Sequence, residues 1–308
     1  MIEEVDMVKI FILMVFSLVM LNAQIRVVAV EKLPISKTEQ WSNAVFSPLG
    51  DEIYMTNSKY NGIWQYSLKT KLLKEITRDK QSGYNFNISD DGSKIAYRRT
   101  SVEGDYNTRV QESVELNIKS LNQTVIERGS SVRSPVFVLD RNSQSQQPFN
   151  DKTIAMQDQS QIQLLGIDDT KIILLRNGMK SIFDPFPKGK YIWPVLSPDK
   201  TKLVAVEMDR GAFVSDLDGK NIILLGKCNS PQWTRDGKWI IGMDDRDDGR
   251  SIYASEIIAI SSDGSKHIQL TETPSLIEMF PATSPVENKI VTTSANGDVF
   301  TLTVEEEK

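Results

Sequence analysis

Two kinds of apolar pattern run along the chain. Residues 10 to 21 read IFILMVFSLVML, an unbroken stretch without a charge. Beyond it, apolar residues come in short runs, rich in Ile, Val, Tyr and Trp, and clusters of Ser, Thr, Asn, Asp, Gly and Pro separate them. Short β-rich runs bounded by turn residues predict strands joined by hairpins. No long segment has the 3.6-residue period of an amphipathic helix.

One phrase recurs. It reads FSPLGDEIYMT (46 to 56), ISDDGSKIAYR (88 to 98), LSPDKTKLVAV (196 to 206), WTRDGKWIIGM (233 to 243) and TSPVENKIVTT (283 to 293). A sixth copy is broken: SPVFVLD (134 to 140) resumes at NDKTIAM (150 to 156), with a polar insertion, expected to be a mobile loop, over residues 141 to 150. In each copy Ser or Thr opens a turn by bonding backbone ahead of it, Pro presets φ, and Asp then Gly supply the tight reversal. Lys200 fits the Gly slot poorly, so a different turn is expected there. Asn288 is acceptable in that slot, because Asn tolerates the left-handed region.

A second phrase follows each first one: GIWQYSLKTKLLKEIT (62 to 77), VELNIKSLNQTVIER (114 to 128), IQLLGIDDTKIILL (162 to 175), GAFVSDLDGKNIILL (211 to 225) and EIIAISSDGSKHIQL (256 to 270). Each reads as strand, polar turn, strand, so one repeat is four strands. Ser89 follows Ser47 by 42 residues, Thr234 follows Ser197 by 37, and Ser284 follows Thr234 by 50. Four-stranded repeats of this period predict an all-β, six-bladed β-propeller. The final repeat, GDVFTLTVEEEK (297 to 308), lacks a fourth strand. The β-rich IRVVAVEKL (25 to 33) belongs to no repeat and is expected to supply that strand, closing the last blade and leaving no free edge.

These phrases resemble the WD-like propeller repeat of TolB-like periplasmic proteins. The resemblance is carried by Phe46-Ser47-Pro48 with Gly50, Ser89-Asp90-Asp91-Gly92, Leu196-Ser197-Pro198-Asp199, Trp233-Thr234 with Asp236-Gly237, and Pro194, Pro231 and Pro281 three positions before the anchor. It implies a propeller fold without fixing a function. The family's type member carries a separate N-terminal α/β domain, which is not expected between the presumed cleavage site and the first blade.

Charge and cysteine usage narrow the classes. A formal net charge of -5 disfavours sequence-independent nucleic-acid binding, which needs a basic field. Lys9, the apolar run 10 to 21 and small Ala23 have the layout of a secretory signal, with Met1 or Met7 as its start. The expected organisation is a signal peptide over residues 1–23 and a single propeller over 24–308, with no membrane span after cleavage. The expected location is periplasmic or secreted. Cys228 is the single cysteine, so no intramolecular disulfide forms, and it reads as a small buried residue. No homo-oligomer is expected.

Candidate chemistry is sparse. His267 is the lone histidine, at an expected strand start, and no G-x-S-x-G elbow accompanies it. The hydrolase half of propeller-containing serine peptidases is absent, and one imidazole cannot build the histidine-rich site of propeller-fold oligogalacturonate lyases. Asp244, Asp245, Asp247 and Asp248 are weak Ca²⁺ candidates, because Arg246 breaks the spacing of a calcium loop. The segment DPFPKGKYIWP (184 to 194) reads as a between-blade loop and a possible lip. The loops entering the innermost strands are expected to ring the channel mouth with Trp41, Tyr84, Arg133, Tyr191, Trp193 and Glu278, an aromatic and charged set suited to ligand or peptide binding. No catalytic residue and no cofactor beyond Ca²⁺ is expected. The reading is an exported, non-enzymatic binding or scaffold protein that engages a protein, peptide or envelope glycan at the mouth. The alternative is an enzyme acting on a carbohydrate or lactone through acidic residues and Ca²⁺.

Overall fold

A computed structural model describes residues 24–139, 146–149, 162–273 and 275–307, and contains strands and turns but no helix among them. The strands form antiparallel sheets that follow one another in chain order around a ring. The fold is a six-bladed β-propeller. Blade 1 comprises Trp41–Phe46, Glu52–Asn57, Ile63–Ser67 and Leu73–Thr77; blade 2 comprises Asn87–Ile88, Lys94–Glu103, Thr108–Asn117 and Gln123–Gly129. Blade 4 comprises Tyr191–Leu196, Lys202–Glu207, Gly211–Asp216 and Ile223–Gly226; blade 5 comprises Asn229–Trp233, Trp239–Asp247, Ile252–Ser261 and His267–Gln269.

Blade 6 closes the ring as the sequence predicts. Glu278–Thr283, Lys289–Ser294 and Val299–Glu307 are joined on the outside by Gln24–Lys32, antiparallel, with Gln24 opposite Glu307 and Lys32 opposite Phe300. Ile25 is buried among Trp239, Ile257, Ile290 and Val304 at the boundary of blades 5 and 6, which stabilises the closure by about 1.5–3 kcal/mol for that side chain alone. The expected signal peptide, residues 1–23, lies outside the described residues.

Each blade buries both faces against its neighbours. Tyr54 and Ile63 of blade 1 pack on Ile95, Tyr97 and Val114 of blade 2, and Val204 and Val214 of blade 4 pack on Trp233, Ile240 and Ile260 of blade 5. This is why the second strands, such as Ile53 to Met55 and Leu203 to Val206, read as continuous apolar runs instead of alternating.

The turns after the first strands share one construction. Ser89, Ser197 and Thr234 each donate their hydroxyl at 2.6 Å to the carboxylate two residues on, Asp91, Asp199 and Asp236. The same hydroxyls accept the backbone N–H of Lys94, Lys202 and Trp239. Gly92 and Gly237 take φ of +69° and +70°. The expectation about Lys200 is corrected: it takes φ of +57° in the same turn, its N–H donating to the Ser197 carbonyl at 2.8 Å. The Ser197–Asp199 bond and the flanking ladder over-determine the conformation, at a cost of about 1–2 kcal/mol for the non-glycine residue. The expectation about Asn288 is also corrected. It does not take the left-handed conformation; its amide oxygen instead accepts from Arg235 Nε at 2.9 Å, and Ser284 Oγ accepts the N–H groups of Val286 and Glu287.

Blade 3 departs from the expected alignment. Gln163–Asp168 and Lys171–Arg176 are followed by a further paired strand, Met179–Phe183. The Thr170 carbonyl accepts from Tyr191 N–H at 2.9 Å, as the Tyr60 carbonyl in blade 1 accepts from Gly83 N–H at 3.0 Å. The turn at Thr170 is therefore a second-to-third strand turn. Residues 162 to 175 are the second and third strands, not the third and fourth. Phe137–Leu139 pairs with Gln146–Pro148, so part of the expected loop over 141 to 150 is strand, tied to blade 2 by Gln146 Nε2 donating to Asp90 at 2.7 Å. Val138 and Phe149 pack on Leu165, Ile173 and Leu175. The strand expected over 150 to 156 lies outside the described residues.

Candidate functional site

The loops entering the first strands share one face of the propeller with the turns between second and third strands, as the Tyr60–Gly83 and Thr170–Tyr191 bonds show. On this face the first strands of five blades carry the same irregularity. Asn43, Asn85, Trp193, Ser230 and Phe280 each stand four residues before the turn anchor, and each takes a left-handed φ between +48° and +54°. The pairing register shifts across four of them, between Ser42 and Val45, Ile192 and Val195, Asn229 and Gln232, and Met279 and Ala282. Such bulges bend a strand and re-aim its side chains. For Trp and Phe the conformation is strained.

This geometry sorts the six residues expected at the mouth. Trp41 and Tyr191 are corrections: they stand six positions before the anchor, where side chains turn between blades, and are only 2% and 1% exposed. Trp41 donates Nε1–H to the Ser36 carbonyl at 2.9 Å and meets Trp64 edge-on at 5.2 Å. Tyr191 donates to Asp184 at 2.7 Å and packs on Phe213; burial, then the Asp184 carboxylate, raises its phenol above the usual range. The loop 184 to 190 is thereby folded onto blade 4, with Phe186 against Phe213. Cys228, at the same position in blade 5, is buried, and burial pushes its thiol up to about 12.

Glu278 also stands six before the anchor and is 4% exposed. One carboxylate oxygen accepts from Thr273 Oγ1 and the other has no partner. Burial raises its pKa, and Glu256 nearby adds to the rise. Arg133 is half-buried and pairs with Asp168 at 2.6 Å. Tyr84 and Trp193 remain exposed, at 44% and 36%.

The acidic segment does not converge. Asp244 pairs with Lys227 at 3.1 Å, and Asp245 accepts from Asn229 at 2.6 Å. Asp247 caps Gly249 N–H, and Asp248 accepts the N–H groups of Arg250 and Ser251, which lower its pKa. Among the described residues no group of three or more His, Cys, Asp or Glu is placed to hold a metal ion. His267 is exposed at the start of its strand.

A cluster that the sequence does not announce lies between blades 1 and 2 on the same face. Lys59, Tyr60, Gln81, Tyr84, Arg98 and Arg109 line a cavity of about 170 Å³. Tyr60 and Tyr84 meet edge-to-face at 5.5 Å, and the Arg98 guanidinium lies over the Tyr84 ring at 5.6 Å. These residues come from four separate segments, so only Tyr84, next to a first strand, is readable as a mouth residue.

Compared with family models and with curated proteins, the chain matches none. Its fold does match solved structures. The crystal structure of TolB from Acinetobacter baumannii aligns with a TM-score of 0.56 at 16% identity, over 80% of this chain and 58% of that one. U3-55K aligns with a TM-score of 0.56 at 10% identity, over 91% and 100%. The β-propeller domain of Cps50 (Swd1) from Myceliophteria thermophila aligns with a TM-score of 0.54 at 9% identity, over 90% and 100%. The likeness is one of fold. The chain spans less than two thirds of the length of TolB.

Proposed function

We propose that the protein is an exported, non-enzymatic binding module, periplasmic or secreted, that engages a protein or peptide at the mouth face. The observation that carries this reading is the left-handed residue repeated four positions before the anchor in five blades, a bulge in four of them, which holds Trp193 strained and exposed on the face where Tyr84 is also exposed. Strain of this kind, about 1–3 kcal/mol per residue, persists where surrounding structure enforces it, and clusters at ligand-contacting positions. Exposed aromatics held rigidly are the side chains from which binding hot spots are built.

The test is capture of partners from an envelope extract by residues 24–308, with Ca²⁺ and with a chelator, read by mass spectrometry. One stoichiometric protein lost on both Trp193→Ala and Tyr84→Ala supports the reading. Capture indifferent to both changes, or none, sinks it and moves attention to glycans. The enzyme alternative draws on Glu278, whose carboxyl burial keeps it above the usual range beside Glu256. Turnover of a glycan or lactone abolished by Glu278→Gln would favour it.

A further inference from the structure

Deepening the binding reading above, and resting on it, we propose that the pocket between blades 1 and 2 receives a carboxylate borne by the bound peptide. The charge balance of blade 2 points there. Successive residues of its long hairpin face opposite sides. On one side Arg99 pairs with Asp79 at 3.2 Å and Glu112 at 2.7 Å, and Arg128 pairs with Glu112 at 2.9 Å. On the other side Arg98 and Arg109, joined by Lys59 from blade 1, make no ion pair with any described carboxylate. In a chain of net charge -5 this is a local excess of three cations that no described carboxylate pairs with.

Arg98 is the sharpest indication. Its Nη1 donates to the Val132 carbonyl at 3.2 Å, but its enclosed Nε has no partner. A buried donor without a partner is costly, and it leaves the guanidinium incompletely bonded where Arg98 lines the cavity. Burial lowers the pKa of Arg98, Tyr84 works against that shift and the like charge of Arg109 adds to it, so an anion beside the guanidinium would favour its charged form. The guanidinium is a planar fork matched to a carboxylate. The cavity has the size of a single side chain, and the Tyr60–Tyr84 pair gives it an apolar wall for the stem that carries the charge. The walls are set in advance: Tyr60 and Gln81 are left-handed at +57° and +63°, and Gln81 N–H donates to Asn61 Oδ1 at 2.9 Å.

The experiment is fluorescence anisotropy of the full chain with three rhodamine-labelled peptides. One is amidated with a central Phe-Glu-Phe, the second replaces that Glu by Gln, and the third is the Gln peptide with a free C-terminal carboxylate. The expected result is saturable binding of at least one carboxylate peptide, about tenfold tighter than the neutral one, the worth of one charge-assisted hydrogen bond. The first and third peptides distinguish a side-chain from a terminal carboxylate. Arg98→Gln and the exposed Arg109→Gln should each weaken binding by about the same factor. Equal binding of the neutral peptide, indifference to both substitutions, or no saturable binding overturns the proposal. Partner capture that depends on Trp193 but not on Arg98 or Arg109 would remove this pocket and leave the binding module standing. Peptide binding without partner capture would do the reverse.

Discussion

Where the first and second strands of a blade meet, Ser197, Asp199 and the backbone close a hydrogen-bond set within one turn, and Ser89 with Asp91 and Thr234 with Asp236 do the same in their own blades. At the opposite end, the residues of a first strand answer to neighbours far away in sequence. Trp41 goes between blades, Trp193 stays exposed, and Glu278 is buried with one oxygen unpartnered. The first end is chemistry repeated by a repeated phrase. The second differs from blade to blade, because each residue there meets a different set of neighbours.

Substitutions can break this contrast at the mouth. Trp41→Ala should destabilise the fold by about 3–5 kcal/mol in urea unfolding, because it empties the boundary between blades 1 and 6. Trp193→Ala should cost no more than about 1–2 kcal/mol while abolishing partner capture. Equal losses for the two would erase the distinction between the positions six and four before the anchor.

Glu278→Gln sharpens the contrast through pH. The folded-state pKa of Glu278 is raised above its ordinary 4.5, so the native state binds its proton more tightly than the unfolded chain. Its contribution is full below pH 4.5 and is lost as pH rises through the folded value. The variant should therefore melt higher than the parent at pH 7 and gain little or nothing at pH 4, by differential scanning fluorimetry.

At the turn end the sign reverses. Ser261 Oγ, with the N–H and hydroxyl of Ser265, holds Asp263 down to about 2 from an ordinary 3.8. That stabilisation is present above pH 3.8 and drains away as pH falls toward 2. Asp263→Asn should flatten this limb in acid melts; an unchanged limb would refute the turn's role. Lys200→Gly should raise stability by about 0.5–1 kcal/mol, because it removes the left-handed penalty without touching the Ser197–Asp199 bond. A loss would mean that the Lys200 side chain does something the turn geometry does not show.

The mouth was only partly legible in the sequence. Tyr84 and Trp193 are exposed on this face, as their places at a first strand suggest. Trp41, Tyr191 and Glu278 flank one equally well, yet the bulge between the two positions sends their side chains the other way. No residue type marks that bulge, since Asn, Trp, Ser and Phe all occupy it. Blade 3 is read one strand out of register when the turn at Asp169-Thr170 is aligned with the third-to-fourth turns of the other repeats, although Asn177-Gly178 is a hairpin signal ahead of Met179–Phe183.

By itself, the sequence determined the blade plan, the turn chemistry and the closure by Gln24–Lys32. Those rest on local backbone preferences and on a period that six copies repeat. Only the tertiary structure decided which residues are exposed on the mouth face. That choice depends on strand register and on charges brought together from separate blades: Lys59, Arg98 and Arg109 become neighbours only when blades 1 and 2 pack.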